Sequence, residues 1–336
     1  MIDLSTSYLG LKLKNPIIVG SCSLTSDIES IIQLEESGAA AVVLNSLFEE
    51  EIIYEAGLYS KSSGENKQIN LHLTDSYNYI SNLARENRLN DYLKLIKSAK
   101  KNTSIPIIAS INCITDSEWV EFTSKIQDAG ADALELNIFF NPMDLVQQEY
   151  EKIALKIIKK TMKAISVPIS IKLNDSYTNL SNTIIELSNT GIDGLVLFNK
   201  YYSIDIDIYN MNIVSGRMHS CENDYVKSLR WIALLSEQVK CSLSASTGIH
   251  NGNTIVKQIL AGADAIQVVS ALYLNGKSHI TKMIEDIKKW MFERGIFSVT
   301  QFKGKASFKN HINPAVYERV QFMKHYGRII YEPSLK

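Results

Sequence analysis

Short apolar runs recur along this chain, separated by longer stretches in which apolar residues return every three or four positions. The runs occupy residues 16–21, 39–46, 105–112, 133–139, 168–173, 194–199, 242–247 and 265–270. Each is too short for a helix and is rich in Val, Ile and Ala. Several follow a Pro or an Ala-Gly turn, which predicts strands. Apolar runs without alternation belong to strands covered on both faces, as in parallel sheets. The intervening stretches, such as 27–37, 116–129, 145–165 and 253–261, have helical spacing. Gly38, Gly130, Gly191 and Gly262 stand between a helical stretch and the next strand. A glycine there takes the left-handed conformation that ends a helix.

Eight strands alternating with helices predict a TIM (β/α)₈ barrel. The competing open, doubly wound sheet would carry an early G-x-G-x-x-G, and none is present. Residues 4–14 alternate around Leu9-Gly10-Leu11 and predict an N-terminal hairpin that closes the barrel bottom. The connections 48–104 and 200–240 are insertions after strands two and six. The expectation is a single domain over 1–336, with a core at about 15–280 and a C-terminal extension over 281–336. The aromatic, basic tail from 290 onward packs across the barrel or against a second subunit.

Composition narrows the function. The chain has 336 residues, 45% of them hydrophobic and 21% charged, which suits a globular core. A net charge of -1 without a basic stripe speaks against nucleic acid and polybasic membrane binding. The four cysteines form no C-x-x-C pair, which removes zinc ribbons and cysteine-held iron–sulfur clusters. Met1-Ile2-Asp3-Leu4-Ser5 has neither a basic nor an apolar leader segment, and no apolar stretch approaches 18 residues. The expectation is a cytoplasmic protein that holds no metal.

Candidate chemistry lies where the strands end. Ser21, Asn45, Asn112, Asn137, Lys172, Asn199, Thr247 with Gly248, and Ser270 bring a polar group from every strand to one rim. Active sites of this fold sit at that rim. Lys172 alternates with Ser170, so both point into the barrel, and a buried lysine needs an anionic partner. Loops after strands seven and eight are the usual phosphate site, here Thr247-Gly248 and Val269-Ser270.

With these residues in place, the chain resembles the class 1 dihydroorotate dehydrogenase family. The carriers are residues 15–21 (NPIIVGS), 129–137 (AGADALELN), 167–173 (VPISIKL) and 260–268 (LAGADAIQV). Residues 197–202 (LFNKYY), 228–233 (SLRWIA) and 300–304 (TQFKG) resemble a branch of dihydroorotate dehydrogenase-like proteins over nearly the whole chain. The resemblance implies FMN, with its phosphate at Thr247, Gly248, Val269 and Ser270. It implies Lys172 as the catalytic residue beside flavin N1 and C2=O, where its charge stabilises the reduced flavin, Ser21 at the flavin edge, and Asn45, Asn112 and Asn137 among the cofactor contacts. Asn137, Asn141 and Asn199 would hold substrate. Also implied are oxidation of dihydroorotate to orotate in pyrimidine biosynthesis, a homodimer, and a soluble oxidant such as fumarate as acceptor.

Two departures stand out. The family's strand-four motif N-x-S-C-P-N carries the base, whereas this chain reads Asn137-Ile138-Phe139-Phe140-Asn141-Pro142. The Lys-Thr or Lys-Ser pair ending strand two is Asn45-Ser46 here. Substitute bases are Cys22, Cys113, Tyr201, Tyr202 or His72, and Asn70 lies near the family's loop asparagine. Arg217 and Arg230 are candidates for a substrate carboxylate. An FMN oxidoreductase of another unsaturated ring, and a non-catalytic FMN- or phosphate-binding barrel, stay open beside dihydroorotate.

Overall fold

A hairpin of Thr6–Tyr8 (β1) and Leu11–Leu13 (β2) opens the chain. The barrel strands follow. They begin with Ile17–Val19 (β3), Ala41–Val43 (β4), its short continuation Leu47–Phe48 (β5), Ile107–Cys113 (β6) and Ala133–Ile138 (β7). Next are Ile169–Leu173 (β8), Gly194–Leu197 (β9) and a second hairpin of Ile204–Asp207 (β10) and Asn212–Ser215 (β11). Ser242–Ala245 (β12) and Ala265–Val268 (β13) complete the set. The computed structural model describes residues 2–48, 73–113, 119–138, 147–200 and 203–310.

Strands β3, β4, β6, β7, β8, β9, β12 and β13 pair in parallel in that order, and β13 returns to β3. All eight sequence-predicted strands are present and the barrel is closed, so its sheet has no free edge. The helices lie where the periodicity put them, at Ile28–Glu36, Trp119–Asp128, Gln147–Ala164 and Gly252–Ala261.

Three aspartates give the recurring Gly-x-Asp signature a physical cause. Asp132, Asp193 and Asp264 each precede a barrel strand. Each accepts a hydrogen bond from the backbone N–H of a strand beside it, at Ile107 (2.7 Å), Ile169 (2.8 Å) and Leu243 (2.8 Å). The carboxylates thus supply partners for N–H groups where the ladder begins.

The first hairpin plugs the N-terminal end of the barrel, as the alternation predicts. Leu9 N–H donates to Ser242 Oγ at 3.3 Å, and Thr6 Oγ1 donates to the Asp264 carbonyl at 2.9 Å. Tyr8, Leu9 and Leu13 form a separate buried cluster with Ile18, Val43, Ile108 and Ala265. Gly194 is required here, because a Cβ would run into the Leu9 side chain.

The insertion after strand two differs from a plain loop: a helix, Leu73–Asn102, covers its second half. Its strongly polar composition hides it. Among its described side chains, Leu89, Tyr92, Ile96 and Ala99 are buried, at helical spacing against the barrel. Of the C-terminal extension, His279–Glu293 is a helix packed on Gly252–Ala261, and Phe302 is buried against Trp290. That part therefore lies across its own barrel. Residues 311–336 fall outside the described residues. No helix among the described residues is long and apolar enough to cross a membrane.

Candidate active site

A cleft of about 590 Å³ opens at the C-terminal ends of the strands. Ser21, Lys172, Asn199, Thr247, Gly248, Val269 and Ser270 all line it. Lys200, Arg217 and His219 come to it from the segment after β9, and among the described residues no carboxylate lines it. Its electrostatics therefore suit an anionic ligand.

Lys172 is anchored from below. Its side chain is 8% exposed, and Nζ donates to Gln267 Oε1 at 3.0 Å. Gln267 Nε2 donates in turn to Glu135 Oε2 at 2.5 Å, and Glu135 Oε1 lies 3.8 Å from Nζ. The amide orientation follows from the donors: an ammonium offers only N–H, so the oxygen of Gln267 must face it. Burial raises the Glu135 carboxyl above its ordinary range, against the opposing pull of the Lys172 charge and the Gln267 hydrogen bond.

At the strand-seven end, Thr247 and Gly248 both adopt positive φ, 73° and 77°. Thr247 Oγ1 donates to the Phe198 carbonyl at 2.9 Å, so its hydroxyl braces the loop. Ser270 Oγ accepts from Ser220 N–H at 3.0 Å, and Ser220 Oγ meets His250 Nε2 at 3.1 Å. Burial lowers the His250 pKa, which favours the neutral imidazole.

The asparagines divide. Asn199 Nδ2 donates to Asn137 Oδ1 at 2.5 Å, which joins the ends of β9 and β7. Asn112 is buried and its Oδ1 has no hydrogen-bond partner among the described residues. Asn45 lines a separate pocket of about 350 Å³ beside Ser46, Arg88 and Tyr92, outside the main cleft. Ser46 instead links the two sides, bonding Ser21 Oγ at 3.0 Å and Ser110 Oγ at 2.7 Å.

Asn141, Phe139, Phe140, His72, Asn70, Tyr201 and Tyr202 fall outside the described residues. Burial pushes the Cys22 thiol up, which disfavours a thiolate at neutral pH. Arg217 reaches the cleft, and Arg230 lies on the helix Tyr225–Leu235 without lining it. Glu135 and Gln267 were not singled out from the sequence. Their signal was present: a charged and an amide residue inside otherwise apolar strands, ALELNI and AIQV. Among the described residues, no group of three or more His, Cys, Asp or Glu could hold a metal ion.

Fold and site together define an enzyme-type barrel whose rim is arranged for a polar, anionic ligand. Residues 81–291 match the dihydroorotate dehydrogenase family. The chain is similar to a dihydroorotate dehydrogenase B (NAD(+)), catalytic subunit, from Thermoplasma volcanium. The two are 27% identical over 91% of this chain and 99% of that protein. Proteins of the same name from Thermoplasma acidophilum and Pyrococcus abyssi are each 26% identical, over 91% and 90% of this chain and 99% of theirs. The chain belongs to the dihydroorotate dehydrogenase family, whose members are flavin-dependent oxidoreductases.

Proposed function

We propose that this protein is an FMN-dependent oxidoreductase that oxidises dihydroorotate to orotate in pyrimidine biosynthesis. The observation that carries the reading is the convergence of Lys172, Ser21, Asn199, Thr247, Gly248, Val269 and Ser270 on one cation-lined cleft. The residues present fit FMN. Among the described residues, Asn112 Oδ1 is a buried acceptor without a donor, and Thr247, Gly248, Val269 and Ser270 line the cleft together at the phosphate end. Bound FMN would supply a two-electron acceptor that takes hydride from substrate.

The protein's own groups divide the work. Backbone groups at Thr247, Gly248 and Val269 and the Ser270 hydroxyl would hold the phosphate. Lys172 would place positive charge where the flavin ring gains negative charge, and Ser21 would meet the ring edge. Asn137 and Asn199, tied to one another, hold the substrate ring together with Asn141. Arg217 or Lys200 takes the substrate carboxylate. Asn45 acts from the neighbouring pocket through the β4 end.

A second reading, an FMN oxidoreductase of another unsaturated ring, is favoured by Phe139-Phe140 in place of the family's Ser-Cys. One titration separates the two. In an anaerobic visible spectrum, stepwise dihydroorotate is expected to bleach the flavin band. An unchanged band would discard dihydroorotate, and no band after reconstitution with FMN would discard the cofactor.

The protein is further proposed to be a cytoplasmic homodimer of one-domain subunits. The β10–β11 hairpin supports the dimer. Ile206 pairs with Ile213 on one face, flanked by Ile204, and the three are 60%, 72% and 63% exposed. A lone two-stranded ribbon is marginal in water, and an apolar patch of this kind marks an association surface. Ile206→Asp is expected to halve the mass measured by light scattering and leave the FMN spectrum intact. An unchanged mass would remove the hairpin from the interface.

A further inference from the structure

We propose that Glu135, through Lys172, sets the reduction potential of the flavin, as a buried counter-charge one layer below the cofactor. The proposal rests on the FMN reading and deepens it. Glu135 is fully buried in the barrel interior, a place where a carboxyl is costly without a partner. Its neighbours are polar and come from several elements. Lys172 approaches from β8 at 3.8 Å and Gln267 from β13 at 2.5 Å. Tyr8 of the N-terminal hairpin and Tyr92 of the helix Leu73–Asn102 face its charge from further off.

The arrangement exceeds what holding Lys172 in place requires. Gln267 alone satisfies one ammonium proton. The carboxylate adds a negative charge that offsets part of the lysine's field at the ring. Glu135 Oε1 is buried with no hydrogen-bond partner among the described residues, and Ser170, paired with Glu135 across β7 and β8, adds a buried hydroxyl beside it. A hydroxyl there can donate to a carboxylate directly or through water. This polar interior is unusual for a small barrel core, where branched apolar side chains dominate. Gly20 keeps the Gln267 amide in place, since a Cβ there would sit 3.1 Å from Gln267 Oε1.

A fixed positive charge beside the ring favours the reduced flavin, and a fixed negative charge behind it opposes that effect. Glu135→Gln keeps the shape and removes the charge. In FMN-loaded protein it is expected to favour reduced flavin at least tenfold, a rise of about 30 mV in the two-electron midpoint potential. Lys172→Met is expected to move the potential the opposite way. FMN affinity of the apoprotein should not change with Glu135→Gln, because Glu135 lies below the cleft and lines none of the phosphate end. A merely structural Glu135 would move affinity or melting temperature and leave the potential alone.

If Glu135→Gln does not fold, Glu135→Gln with Lys172→Met removes both buried charges. Its potential is then compared with that of Lys172→Met alone, and a smaller rise is expected. A potential of Glu135→Gln equal to or below that of the parent protein, or of the double variant equal to or below that of Lys172→Met, overturns the proposal. Failure of the apoprotein to bind FMN would instead overturn the reading on which it rests.

Discussion

Lys172→Met slows flavin reduction by substrate by about 10²–10³-fold while FMN stays bound; this is the largest effect expected from a single substitution at the site. Removing one fixed group aimed at developing charge has this cost in water-poor sites. Lys172 is buried, so no solvent cation replaces it. Methionine keeps the apolar stem and most of the volume. Stopped-flow reduction under anaerobic conditions checks the rate, and a value within about threefold of the parent would mean that Lys172 does not face the reacting ring.

The same variant has a pH signature. Glu135 already has a raised pKa because of burial, and the loss of Lys172 removes the charge that pulls it down. A carboxyl whose folded-state pKa lies above its unfolded value binds more protons when folded. Its contribution is present at acid pH and lost as pH rises through the folded value. Lys172→Met should therefore lose melting temperature relative to the parent more at pH 8 than at pH 5. Equal losses at both would show that Glu135 does not titrate in that window.

Any side chain at position 248 damages the fold and the phosphate end together. Gly248 has φ 77°, and a Cβ there would lie 2.6 Å from the Asp224 carbonyl carbon and 2.9 Å from its Cα. These are backbone atoms at the start of the helix Tyr225–Leu235, so they cannot swing aside as a side chain would. Left-handed strain and overpacking each cost roughly 1–3 kcal/mol. Gly248→Ala is expected to lower stability by roughly 2–5 kcal/mol and to weaken FMN binding at least about tenfold. Thermal melts and fluorescence titration with FMN read the two effects. A variant that melts and binds like the parent would place the phosphate elsewhere.

Ser46 illustrates why part of the site was not legible. It sits beside Asn45, the residue singled out as the polar end of strand two, yet it is Ser46 that bonds Ser21, a residue of the cleft wall, and Ser110 inside the barrel. Successive residues in a strand point to opposite faces, so a shift of one position changes which side chain enters the barrel. Short strand ends carry too few alternations to settle that phase. Lys172 was legible because Ser170 and the apolar residues beside it set the phase of β8. Gln267 and Glu135 stood in the same kind of strand. Their meaning depends on a contact across the barrel, between residues 132 positions apart.

Local pattern alone determined the eight strands, the helices between them, the hairpin at the bottom and the rim that bears the chemistry. The reason is physical: burial on both faces, helical spacing and left-handed glycine turns act over a few residues and leave their mark in order. Tertiary structure alone decided which polar side chains share the interior, which cations reach the cleft after β9, and that a largely polar insertion carries a helix. Those outcomes arise from barrel closure, which brings distant strands within hydrogen-bond reach and turns isolated polar residues into a connected, buried charge network.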